Sequence, residues 1–221
     1  SGRPIDTLYV ARGLQEKGGA AVLAAKARQA GIPVKEADPK KLDALCGGAV
    51  HQGVVALAAA KEFSTIDDMF RLAEERGEPP FLILADELAD PHNLGAILRI
   101  PKRRSVGLTY TVGKASAGAL EYVPVARVAN LSACMKELKE RGVWIYGADM
   151  DGTPWCEADF TGPIALVIGS EGFGMSRLVK ETCDFIVSLP MKGKITSLNA
   201  SVACGVLAYE AARQRAGLRA R

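Results

Sequence analysis

The chain has 221 residues, 48% of them hydrophobic, which is enough apolar material for one or two packed domains. Its 28 lysines and arginines against 25 acidic residues leave a net charge of +3, too small to imply a nucleic-acid partner by itself, so that argument rests on local clusters. Five cysteines without a CxxC pair, and only His51 and His92 to join them, argue against a disulfide framework or a metal site and for a reducing, cytoplasmic setting.

The start, Ser1-Gly2-Arg3-Pro4, has no apolar signal region, and no apolar run reaches membrane-spanning length, so a soluble protein is expected. Residues 5 to 10 read as a strand. Ala20 to Ala30 is rich in helix formers and stops at Gly31. Ile32-Pro33-Val34 begins a second strand, Asp38-Pro39 opens a short helix through Leu42 and Leu45, and His51-Gln52-Gly53 leads into the strand Val54 to Ala58. Residues 1–60 thus form a small α/β domain. A helix from Thr65 to Glu75 follows, with Ile66, Met69, Phe70 and Ala73 on one face, and Gly77 with Pro79-Pro80 ends it. Residues 61–80 are read as a helical linker, and the second domain as residues 81–221.

Phe81 to Ala85 is the first strand of that domain. Asn93 to Arg99 is helical, with Asn93 placed to cap the helix start and Arg99 about two turns further on, before Ile100-Pro101 ends it. Lys102, Arg103 and Arg104, with Lys114, form the main basic cluster. Ala115 to Leu120 reads as a helical turn, Val123 to Val128 as a short strand, 131–141 as a helix, Val143 to Ala148 as a strand and Gly152 to Phe160 as a loop. Strands alternating with helices over residues 81–210 call for a parallel α/β sheet.

The last fifty residues hold the candidate site. Ile164 to Ile168 breaks into Gly169-Ser170-Glu171-Gly172-Phe173-Gly174, and Phe185 to Leu189 breaks into Pro190-Met191, after which Ser197-Leu198-Asn199 opens a long helix. Short apolar runs bounded by such breaks are buried parallel strands, and the loops at their carboxyl ends are where open α/β sheets bind ligands. The C-terminal Arg213, Arg215, Arg219 and Arg221 read as a charged tail.

Three blocks occur in one chain in order: Asp90-Pro91-His92-Asn93-Leu94-Gly95-Ala96-Ile97-Leu98-Arg99, Val167 to Gly174, and Leu189-Pro190-Met191 through Ser197-Leu198-Asn199-Ala200-Ser201-Val202-Ala203. Together they resemble the three motifs of the SpoU (TrmH) class of RNA ribose 2'-O-methyltransferases. Gly31 to Val34 and His51 to Ala56 resemble the ribosomal-protein-like RNA-binding domain joined to many of them. Pro101 to Ser105 and Ser116 to Glu121 are most similar to the 23S rRNA guanosine-2'-O-methyltransferases of the class.

The resemblance implies a parallel sheet with a C-terminal trefoil knot, a homodimer, S-adenosylmethionine as cofactor and 23S rRNA as partner, with a tRNA target or a non-catalytic RNA-binding role as alternatives. It implies that Gly169, Leu189, Met191 and Leu198 hold the cofactor, and that Asn93, Arg99, Glu171, Ser197 and Asn199 line the reacting centre. Lys102, Arg103, Arg104 and Lys114 would meet RNA phosphates. In the class, the motif arginine is followed by more helix and a second buried strand. Here Arg99 meets Ile100-Pro101 directly, about a dozen residues early for a βαβ connection.

Overall fold

The computed structural model describes residues 4–13, 18–47, 50–58, 62–98, 110–117, 119–191 and 197–218, which fall into two compact units, Ser1–Glu62 and Phe63–Arg221. Arg99 and Lys102 to Arg104 lie outside the described residues.

In the first unit, β1 (Ile5–Ala11) lies between β2 (Val34–Ala37), to which it is parallel, and β3 (Val54–Ala58), to which it is antiparallel. Helix α1 (Gly19–Gln29) packs Ala24 and Ala27 against Leu8 and Val10, and ends where Gly31 takes φ +73°. In α2 (Pro39–Leu45), Asp38 caps the Lys41 N–H and proline occupies the first turn, where its missing donor costs nothing. His51 is a hydrogen bonder: its Nδ1 accepts from the Gly53 N–H at 3.0 Å. An apolar groove of about 1010 Å³ runs between α1 and this sheet.

The second unit begins with α3 (Ile66–Glu75), opened by a reciprocal capping box between Thr65 and Asp68. Expected as a linker, it places Met69 in the same core as Leu82 and Leu84. A four-stranded, all-parallel sheet follows in the order β4 (Phe81–Ala85), β6 (Ile164–Ile168), β5 (Trp144–Pro154), β7 (Phe185–Ser188). The two-residue pleat sends Ile83, Leu166 and Ile168 to one face and Leu82, Leu84, Ala165 and Val167 to the other. The first face is covered by Cys204, Leu207, Ala208 and Ala211 of α8 (Ala200–Arg215). The second is covered by Cys134, Met135 and Leu138 of α6 (Leu131–Glu140), with Val179 of α7 (Arg177–Thr182). Cover on both faces is why these strands read as unbroken apolar runs.

Four local expectations are corrected. Helix α4 spans Pro91–Leu98, and Asp90, whose carboxylate accepts from the His92 N–H at 2.8 Å, takes the capping place expected of Asn93. Around residues 110–121, helix α5 (Tyr110–Ala115) and a 3₁₀ turn (Ala119–Glu121) flank the segment where one turn was expected. Val123 to Val128 joins no ladder. Pro124 lacks a donor there, yet Val125 and Ala126 are buried and the Val125 carbonyl accepts from the Ser64 N–H at 2.6 Å. Strand β5 runs beyond Ala148 to Pro154, shifting register between Ala148 and Thr153 as it pairs with β7.

Arg215 is no part of a loose tail. Its guanidinium donates to the carbonyls of Phe160 (3.1 Å), Pro79 (2.9 Å), Pro80 (3.2 Å) and Gly162, and lies 5.3 Å from the centroid of the Phe81 ring. Burial opposes its charge and lowers its pKa from the ordinary value. Replacing Arg215 with alanine leaves several partly buried carbonyls unmet and is expected to destabilise the second unit by about 3 kcal/mol. Trp144 and Trp155, the only tryptophans, both lie in that unit, so the urea midpoint of their fluorescence measures the loss. An unchanged midpoint would refute the role.

Candidate active site

The carboxyl ends of β6 and β7 and the middle of β5 enclose a cavity of about 350 Å³, lined by Ala148 to Met150, by Ile168 through Gly174, and by Leu189, Met191, Ser197 and Leu198 among others. Its size suits a small-molecule site. Gly169, Leu189, Met191 and Leu198, expected to hold the cofactor, all line it, together with Glu171 and Ser197.

The Gly169–Gly174 loop is held closed. Ser170 and Gly174 exchange backbone hydrogen bonds of 2.9 Å in both directions, and Gly174 has φ +68°. A Cβ at Gly169 would meet the Gly174 carbonyl carbon at 2.1 Å and the Met175 nitrogen at 2.3 Å, so only glycine fits. Asp86 anchors the loop's far end, accepting from the Ser176 N–H at 2.7 Å; it is buried where β4 ends. Sequence reasoning passed over Asp86, though an acid directly after an apolar strand was a visible signal.

The three sequence blocks meet in one line of hydrogen bonds. Asn199 caps α8: its Oδ1 accepts from the N–H groups of Ser201 (3.0 Å) and Val202 (3.3 Å) and from the Ser201 hydroxyl (2.6 Å). Its oxygen is thereby committed, and its Nδ2 donates to Asn93 Oδ1 at 2.9 Å. Asn93, 5% exposed, then turns its own Nδ2 toward the Glu171 carboxylate and donates to it. Donors fixed at the helix terminus set the orientation of both amides. Each donor in the line faces Glu171, so the carboxylate receives the accumulated polarisation. Neither Asn93 nor Asn199 is among the described residues that line the cavity. They reach it through Glu171.

The irregular passage of β5 forms the remaining rim. Asp149 and Met150 line the cavity, and Asp149 pairs with Lys180 at 2.7 Å. That hydrogen bond raises the pKa of Lys180 above its ordinary value. A strand irregularity re-aims side chains in this way, and no local pattern had marked Asp149. Lys114 is exposed in the last turn of α5.

Comparison with known proteins accords with this geometry. The profile described as the SpoU rRNA Methylase family matches residues 80–209, and that described as RNA 2'-O ribose methyltransferase substrate binding matches residues 1–64. YacO of Bacillus subtilis (strain 168), whose name assigns it to the TrmH family of tRNA/rRNA methyltransferases, is 52% identical over 211 residues, covering 90% of this chain and 84% of its own. The 23S rRNA (guanosine-2'-O-)-methyltransferase RlmB of Ralstonia nicotianae is 44% identical over 226 residues, covering 96% of this chain and 89% of its own. That alignment is longer than the 221 residues of this chain, so the relative carries residues this chain lacks. The crystal structure of the SpoU methyltransferase AviRb from Streptomyces viridochromogenes in complex with S-adenosylmethionine superposes with a TM-score of 0.79 at 27% identity, covering 98% of this chain and 85% of that one. A mixed α/β fold with a parallel sheet, an N-terminal substrate-binding unit and three blocks joined at one cavity agree with these matches, and the chain belongs to the SpoU family of RNA methyltransferases.

Proposed function

We propose that this enzyme methylates the ribose 2'-hydroxyl of a guanosine in 23S rRNA. The observation that carries the reading is the line from Asn199 through Asn93 to Glu171, which ends at the cavity formed by the sheet's carboxyl ends. The 44% identity to a 23S rRNA guanosine methyltransferase supports the choice of substrate.

S-adenosylmethionine, when bound, supplies the methyl group as an electrophile. The cavity suits it in size, and its wall of loop backbone and apolar side chains suits a cofactor held mainly through main-chain groups. Gly169, Leu189, Met191 and Leu198 would hold it. Much of the acceleration of an in-line displacement comes from positioning, worth about 7 to 11 kcal/mol in well-oriented systems. Asn93 and Asn199 hold Glu171 at the rim, and Ser197, on the same lining, would hydrogen-bond ribose. Arg99 is assigned to binding an RNA phosphate and stabilising charge at the attacking hydroxyl, because guanidinium stays protonated and is a poor proton acceptor. Lys102, Arg103, Arg104 and Lys114 would add phosphate contacts, and residues 1–60 would bind the RNA. The domain plan is then an RNA-binding unit, a helical segment at 61–80 and a knotted catalytic unit at 81–221.

A homodimer in the cytoplasm completes the proposal. Val202, Val206 and Tyr209 recur at helical spacing on α8 and are 51%, 37% and 72% exposed, away from the buried Cys204, Leu207 and Ala211. An apolar stripe on a helix already packed along its other side suits a second copy.

The test is transfer of labelled methyl from S-adenosylmethionine to unmodified 23S rRNA, followed by nucleoside analysis. Label is expected in 2'-O-methylguanosine and is expected to vanish with Arg99→Ala. Transfer to tRNA alone would select the tRNA reading, which the tRNA/rRNA name of the Bacillus relative leaves open.

A further inference from the structure

Phe173 is 95% exposed, the largest exposure among the described large apolar side chains. Nothing about its loop makes that exposure accidental. The loop is closed by the Ser170–Gly174 backbone pair, tied at Glu171 to Asn93 and anchored at Ser176 by Asp86. The ring stands between Gly172 and Gly174, neighbours without side chains to shield it, and it lines the same cavity as Gly169, Glu171 and Leu198. A rigid backbone therefore presents an aromatic face to solvent at the mouth of the site.

Unstacked bases seek such faces, and stacking tolerates any base because each has a π face. An apolar protein surface would need a wider patch than one ring flanked by glycines, Ser170 and a carboxylate. The geometry points to Phe173 as a stacking platform for a nucleobase of the RNA substrate, at or next to the nucleotide whose ribose enters the site. This assignment rests on the reading of the cavity as an RNA methylation site.

The experiment compares the parent protein with Phe173→Ala and Phe173→Trp, using unmodified 23S rRNA and unmodified tRNA transcripts in filter-binding titrations at several salt concentrations. Phe173→Ala is expected to weaken binding of whichever transcript the parent methylates roughly 5- to 150-fold, the range expected for loss of one stacked base. Because no phosphate contact is lost, the slope of affinity against salt should stay as in the parent. Phe173→Trp should restore RNA binding and add emission that is quenched by RNA. Equal RNA affinity in parent and Phe173→Ala would overturn the assignment, as would a lower oligomeric mass by light scattering with RNA affinity per dimer intact, which would make Phe173 a subunit contact. If the parent methylates neither RNA, the reading of the site fails on its own, whereas an active parent with an indifferent Phe173→Ala removes only the stacking role.

Discussion

Asn93→Ala is expected to lower the rate of methyl transfer to RNA about a hundredfold, the scale of loss when a reacting group is displaced by about 1 Å. The substitution removes the middle of the line: the Glu171 carboxylate loses its donor and Asn199 Nδ2 loses its acceptor. Losing these two part-buried hydrogen bonds also costs about 1 to 3 kcal/mol of stability, which leaves the fold in place. Asn93→Asp separates positioning from packing. It has nearly the same shape, but its carboxylate faces that of Glu171, and neighbouring like charges raise the pKa of the introduced acid in the folded state. When protonated it donates to Glu171 and still accepts from Asn199, as asparagine does. An acid whose folded pKa is raised adds stability below its folded value, and that contribution is lost as pH rises through it. Asn93→Asp should therefore recover both activity and stability, relative to the parent, as pH falls below neutrality. Single-turnover rates and urea midpoints across pH measure this; a parallel pH profile in both proteins would show that the amide is not the link.

Gly169→Ala is expected to weaken S-adenosylmethionine binding about a hundredfold. The added methyl would lie 2.1 Å from the Gly174 carbonyl carbon and 2.3 Å from the Met175 nitrogen, and both are backbone that no rotamer change can move. The Ser170–Gly174 pair must open, and overpacking of this kind typically costs 1 to 3 kcal/mol, roughly 5- to 150-fold in affinity if borne by the binding loop. Gly172 supplies the control, since a Cβ there meets nothing within 4 Å and its backbone needs no positive φ. Calorimetric titration of the cofactor should separate the two, with Gly172→Ala close to the parent. Equal loss in both would mean that loop flexibility, rather than the close approach at Gly169, governs binding.

Gly169 also shows how far the sequence can be read. A glycine directly after five apolar residues announced a strand end and a close approach, but not what approached it. The answer is the loop's own returning backbone, which depends on the Ser170–Gly174 closure. Asn199 was legible as a helix cap and as a site residue, two roles that looked like alternatives. The structure joins them, because the amide spends its oxygen on the helix and its nitrogen on Asn93.

By itself the sequence determined what depends on local patterns. Apolar runs of five with glycine and proline boundaries specify buried strands, Asp38 and the Thr65–Asp68 pair specify helix starts, and the three motif blocks specify the family. Only the tertiary structure decided what depends on partners far apart in the chain. Asn93 bonds across 78 residues to Glu171 and across 106 to Asn199, Asp86 reaches Ser176 across 90, and Arg215 reaches Pro79 across 136. A charged residue near a terminus carries the same local signal whether it dangles in water or gathers four carbonyls beneath a sheet. The difference lies in which carbonyls the fold brings within reach of the side chain, and those are set by where the strands begin and end in space.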